Sequence, residues 1–103
     1  MAGAELDNMK SELIGRVNAR RNLFDLLPQI RENPNNHQIS LDVARKRIHS
    51  TDSALYGLNR QAKEQIALLD INIPKDRGWA PFVEAQILIN ILGGIIRSRD
   101  NAI

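Results

Sequence analysis

The sequence predicts an all-α fold: a long antiparallel helical hairpin, residues 4–32 and 40–70, followed by a shorter apolar helix at about 81–99. Two observations predict the hairpin. Both long stretches carry apolar residues at spacings of three and four, which is typical of helices buried along one face. The segment between them, 32–36, reads Glu-Asn-Pro-Asn-Asn, a composition typical of a turn. The third helix is apolar on nearly every side, so we expect a bundle, formed within one chain or between several.

The first predicted helix, 4–32, has one apolar face, and Arg16 and Arg20 lie together on the polar side, interpreted as solvent-exposed. Pro28 interrupts the pattern. A proline removes a backbone donor and disfavours helical geometry at the preceding residue, so the helix should kink or end near this point. The apolar face comprises Leu6, Met9, Leu13, Val17, Phe24 and Leu27, widened by Leu23, Leu26 and Ile30.

The second predicted helix, 40–70, begins with Ser40 as its N-cap and with Asp42 in the first turn, where the helix dipole favours a negative charge. Its apolar residues alternate by three and four over four heptads, the spacing of a left-handed coiled-coil seam. Small and polar residues within the seam indicate close but weakly specific packing. The seam comprises Leu41, Ala44, Ile48, Thr51, Leu55, Leu58, Ala62, Gln65 and Leu69.

The third predicted helix follows a turn at 75–78 and begins at Pro81, since proline is favoured in the first helical turn. One hairpin can cover only about half of a helix that is apolar all round. We therefore expect a protein partner or a second copy on the remainder, and the pattern leaves open whether the helix packs within its own chain or on another. Trp79 has two interpretations, a binding hot spot or an internal anchor. The predicted interface comprises Trp79, Phe82, Ile87, Leu88, Ile91, Leu92, Ile95 and Ile96.

The composition favours one domain spanning residues 1–103 and excludes several classes of function. The chain has no cysteine, and its two histidines, His37 and His49, lack partners at a metal-ligand spacing, so no metal and no cofactor are expected. No set of ionisable residues suggests acid–base or nucleophilic chemistry, so we expect neither an enzyme nor a small-molecule substrate. The formal net charge is only +2. That charge gives little support to nucleic-acid binding.

Targeting features are also missing from the pattern. The first seven residues include acidic groups and no apolar stretch, which argues against a secretory signal. The longest apolar run, 87–96, is about half of the roughly 20 residues that span a bilayer. These observations predict no membrane span and a cytoplasmic protein.

The sequence therefore predicts a non-enzymatic interaction or assembly protein: an oligomeric adaptor or a structural subunit of a larger complex. A virion component, a secretion component and a small inhibitor all fit this description. The alternative is a nucleic-acid-binding hairpin. Three consecutive basic residues lie at 45–47. Consecutive side chains on a helix point about 100° apart, so these three cannot all face one phosphate track. That alternative uses Arg16, Arg20, Arg45 and Arg47, with Arg60 and Lys63 as further candidates.

Overall fold

A computed structural model describes residues 2–102, with side chains from position 4 onward. These residues form three helices in an elongated bundle of 54 × 30 × 18 Å and contain no strand. The all-helical class is therefore confirmed, and the predicted helix limits differ from the observed ones by at most three residues. The elements are α1 (Ala2–Glu32), a short 3₁₀ turn (Pro34–Asn36), α2 (Leu41–Ala67) and α3 (Pro81–Asn101).

The main core lies where the three helices meet. Its side chains are leucine, isoleucine, valine and alanine, which suit close helix packing. A smaller cluster joins the end of α1 to the beginning of α2, where Leu27 and Ile30 pack with Ala44. The main core comprises Leu6, Leu13, Val17, Leu55, Ala62, Ile66, Ala85, Leu88, Ile89 and Leu92.

Polar contacts define how α3 lies against its neighbours. Near its beginning, Glu84 contacts Lys63 of α2. Near its end, Arg99 contacts Asp7 in the first part of α1, with 3.2 Å between the guanidinium and the carboxylate. The carboxylates of Asp7 and Asp100 raise the pKa of Arg99. The third helix therefore covers the first two thirds of α1 and leaves the distal part of the α1–α2 pair without a third helix.

Pro28 does not end α1, which continues to Glu32. A proline inside a helix removes one hydrogen bond and costs about 3 kcal/mol. The helix on both sides of the proline is held by tertiary packing, because Leu27 and Ile30 are buried against Ala44. Burial of these two side chains offsets the lost hydrogen bond.

The buried stripe of α2 differs from the predicted heptad seam. Ser40 caps the helix as expected, its hydroxyl oxygen accepting the Val43 N–H at 3.2 Å. Of the predicted seam, Ala44, Leu55 and Ala62 are fully buried. Towards the end of the helix, however, the buried position is Ile66, and Gln65 is only partly buried.

Two residues of the predicted apolar faces lie outside the core. Leu69 follows the end of α2, in a turn, and is 46% exposed. Phe24 is 55% exposed, because α3 begins near this level of α1, and the Arg20 guanidinium lies 5.7 Å from the centroid of its ring. Both side chains were predicted to be buried, and both predictions are wrong.

The connector 68–80 carries the chain from the end of α2 to the start of α3. It contains the turn predicted at 75–78, where the Asp76 carboxylate accepts the Gly78 N–H at 2.7 Å and the Trp79 N–H at 2.9 Å. These hydrogen bonds, chiefly the one from Trp79, lower the pKa of Asp76. Gly78 has a φ of +80°, a conformation that favours glycine. Asp76 and Gly78 together therefore define the approach to α3.

Candidate interaction surface

The inward face of α3 belongs to the core of its own chain. Leu88 and Leu92, both predicted at the interface, are fully buried. They leave no surface for a second molecule. Ile91, Ile95 and Ile96 are partly buried and pack against the same core. The α1–α2 pair therefore covers more of α3 than the half expected from its sequence.

Two polar contacts fix the rotation of α3 about its axis. The Asn59 side chain, 2% exposed, donates its amide N–H to the Pro81 carbonyl at 3.0 Å. One turn further along, the Lys63 ammonium lies 2.6 Å from the Glu84 carboxylate, whose side chain is 9% exposed. Both contacts come from α2 and meet the first turn of α3. The side of α3 facing away from α2 and α1 is thereby determined.

That opposite side is an exposed, uncharged surface, here called the α3 outer face. Its members are spaced by three and four residues, so they share one side of the helix. Val83 is 38% exposed, Gln86 and Asn90 are exposed, and Ile87 and Gly94 are half-buried. A Cβ atom added at Gly94 would meet no atom within 4 Å. The outer face comprises Val83, Gln86, Ile87, Asn90 and Gly94.

The absence of charge on this face contrasts with the rest of the chain. Residues 78–96, nineteen positions, include one charged residue, Glu84. At the chain average of 25% charged residues, roughly five would be expected. Glu84 itself points inward to Lys63. An exposed helical surface of about 17 Å, from 83 to 94 at 1.5 Å per residue, therefore carries no charge.

The start of α3 carries a second feature, built around Arg20 of α1. The Arg20 guanidinium pairs with Asp52 of α2 at 2.7 Å and lies over the Phe82 ring, 3.8 Å from its centroid. The ion pair and the cation–π contact together join all three helices. The Arg20 side chain is only 17% exposed, so the prediction that it faces solvent is wrong. A shallow cleft of about 320 Å³ lies beside it, lined by Val17, Arg20, Arg21, Phe24, Asp25 and Phe82.

Trp79 lies just before this junction. It is half-buried, and its backbone N–H is held by Asp76. Phe82, by contrast, packs on the core and supports the Arg20 guanidinium. Phe82 therefore acts as an internal anchor in the fold.

The basic residues considered for nucleic-acid binding do not form one surface. Arg20 is engaged with Asp52 and Phe82, and Lys63 with Glu84. Arg16, Arg45 and Arg47 are exposed. Because position 20 contacts position 52 and position 30 packs on position 44, Arg16 lies roughly 15–18 Å along the bundle from the other two. The structure thus disperses these charges.

Residues 2–102 contain neither a candidate metal site nor a candidate membrane span. Within that part of the chain, no three His, Cys, Asp or Glu side chains are grouped so as to hold a metal ion. No helix within it combines the length and apolar character needed to cross a bilayer. His37 is half-buried beyond the 3₁₀ turn, and His49 is exposed on α2. Comparison with known protein families, curated proteins and solved structures yielded no match to this chain.

The sequence interpretation missed the residues that position α3. Asn59 interrupts the apolar pattern between Leu55 and Ala62, and a polar residue at a buried helical position is the one signal that could have identified it. Its Oδ1 atom has no hydrogen-bond partner among the described residues. Glu84 and Asp52 carry no comparable local signal, because their partners come from other helices.

Proposed function

We propose that this chain is a non-enzymatic interaction or assembly protein, an adaptor or a structural subunit, that binds another protein through the α3 outer face. The observation that carries the proposal is the uncharged outer face, in which Val83, Gln86 and Asn90 are exposed and Ile87 and Gly94 are half-buried, on a chain with charged residues along its other helices. Removing the apolar groups of this face from water is favourable, and none of its five side chains carries a charge that must be desolvated.

The architecture supports this role through a rigid scaffold. In the proposal, α1 and α2 form an antiparallel hairpin that presents α3. The contacts between positions 20 and 52 and between positions 30 and 44 support this course. The earlier position in α1 contacts the later position in α2, as expected for antiparallel helices. A face carried on a regular helix keeps its side chains at fixed spacing, which favours specific docking.

The paired ionisable groups support a role in packing. Lys63 with Glu84 and Arg20 with Asp52 each join two helices, at 2.6 and 2.7 Å. These side chains are used to hold α3 in place. The proposal accordingly includes no catalytic step.

The test is site-specific photo-cross-linking in the cells that make the protein. A photoreactive amino acid replaces Gln86 on the α3 outer face, and the matched control replaces Asn18 on the exposed side of α1. We expect illumination to yield a protein adduct from position 86 and none from position 18. Absence of an adduct at 86, or equal adducts at both positions, would overturn the proposal.

A further inference from the structure

We infer that Asn59 and the Lys63–Glu84 pair form a rotational lock, which selects one packing of α3 on the α1–α2 pair and excludes another that its apolar residues allow. Both contacts join α2 to the first turn of α3. Asn59 donates to the Pro81 carbonyl at 3.0 Å, and the Lys63 ammonium lies 2.6 Å from the Glu84 carboxylate. The lock is a conformational device, because it chooses between packings of similar apolar content.

The apolar residues of α3 do not by themselves choose its inward side. In the structure Ala85, Leu88 and Leu92 are fully buried. A second row, displaced around the helix towards the outer face, is also wholly apolar at helical spacing. Turning α3 about its axis by less than the roughly 100° between successive residues would point this second row inward. The second row comprises Ile87, Leu88, Ile91 and Ile95.

Glu84 precedes this second row on the same side of α3, and it opposes the turned packing. In the structure its side chain, 9% exposed, lies on the side of α3 that faces α2 and meets the Lys63 ammonium. The turn would carry the carboxylate towards the middle of the core and away from Lys63. A buried charge that loses its partner is strongly unfavourable. The ion pair therefore penalises the turned packing.

Asn59 opposes the turned packing at the backbone. Its hydrogen bond fixes the position of the Pro81 carbonyl, which lies off the helix axis and would move away from the amide as α3 turns. Asn59 is 2% exposed, and its Oδ1 has no hydrogen-bond partner among the described residues, so the site costs the fold stability. A buried asparagine in a coiled coil likewise fixes register at a cost in stability. The lock therefore contributes specificity at position 59.

The test is thiol labelling of single cysteines introduced into a chain that has none of its own. Ile89→Cys reports the turn, since position 89 is 8% exposed in the observed packing and would face solvent in the turned one. Leu88→Cys is the matched control, because position 88 belongs to the inward row of both packings. Asn59→Leu together with Glu84→Leu removes the lock. Each cysteine is compared with and without the lock, so its own effect on stability cancels.

Removing the lock should raise the labelling rate at position 89 by about 10- to 100-fold, because the turned packing then becomes a populated minor state. The rate at position 88 should stay within about twofold, since neither packing exposes it. The chain without the lock should keep the urea midpoint of the wild type or exceed it. The same replacements at exposed positions of α1, Asn18→Leu with Glu12→Leu, should leave both labelling rates unchanged.

Three outcomes would overturn the inference. An unchanged rate at position 89 would mean that apolar packing alone fixes the rotation of α3. Equal rises at positions 88 and 89 would mean that α3 loosens without turning. A chain without the lock that unfolds, or whose urea midpoint falls well below that of the wild type, would mean that these polar contacts act by stabilising the fold.

Discussion

Replacing Leu88 by alanine should destabilise the bundle far more than replacing its neighbour Ile87 by alanine. Leu88 is fully buried in the main core, whereas Ile87 is half-buried on the α3 outer face. A buried Leu→Ala change removes apolar contacts and leaves a cavity, at a cost of about 3–5 kcal/mol. The Ile87 change should cost the monomer about 1 kcal/mol, since part of that side chain already contacts water.

The cost predicted for Leu88→Ala is large relative to the total free energy of unfolding. A domain of this size is stable by about 5–15 kcal/mol, so Leu88→Ala removes a third or more of a mid-range value. At roughly 4–8 °C per kcal/mol, its melting temperature should fall by at least about 12 °C.

The assay is urea unfolding followed by circular dichroism. Leu88→Ala should lower the free energy of unfolding strongly, and Ile87→Ala should lower it only slightly. Costs that differ by less than about 1 kcal/mol, or a larger cost for Ile87, would refute the assignment of inward and outward faces.

Substitutions at three further positions test the polar and backbone features. Asn59→Asp should lower the free energy of unfolding by about 3 kcal/mol or more at neutral pH, because it places an unpaired charge beside the Pro81 carbonyl. Asn59→Leu should leave the free energy of unfolding nearly unchanged, since it removes the unpaired Oδ1 along with the hydrogen bond. Pro28→Ala should raise the free energy of unfolding by about 1–2 kcal/mol, because a helix interior regains its donor and loses a ring clash, partly offset by a more flexible unfolded chain. Asp76→Asn should reduce the pH dependence of stability: the pKa of Asp76 is lowered in the folded state, so its contribution is present above its ordinary value of 3.8 and is lost as pH falls through the lower folded value. Urea unfolding measures the effects at positions 59 and 28, and thermal melts from pH 2 to 6 measure the effect at position 76.

For each of these positions, the opposite result would contradict the structural reasoning. An Asn59→Asp variant as stable as the wild type would mean that this position contacts water. A destabilised Pro28→Ala variant would mean that the proline shapes the end of α1. If the difference in melting temperature between the wild type and Asp76→Asn stays constant from pH 2 to 6, the carboxylate does not hold the turn.

Much of the fold was predictable because the relevant signals are local. The cap at Ser40, the proline at the start of α3 and the turn before it all depend on side chains a few residues apart. The helical spacing of apolar residues predicted where each helix lies. The heptad interpretation of α2 failed at its far end, where the buried residue is Ile66 and Leu69 lies beyond the helix.

The candidate surface was only partly predictable, for a physical reason. A helix that is apolar on nearly every side can pack with any side inward, so the sequence determined that α3 is a helix and left its rotation open. The tertiary structure decided that rotation. Asn59 donates a hydrogen bond to the Pro81 carbonyl, 22 positions away, and Lys63 pairs with Glu84, 21 positions away. Those contacts place Leu88 in the core and Asn90 on the surface, because only packing against α2 distinguishes one side of α3 from the other.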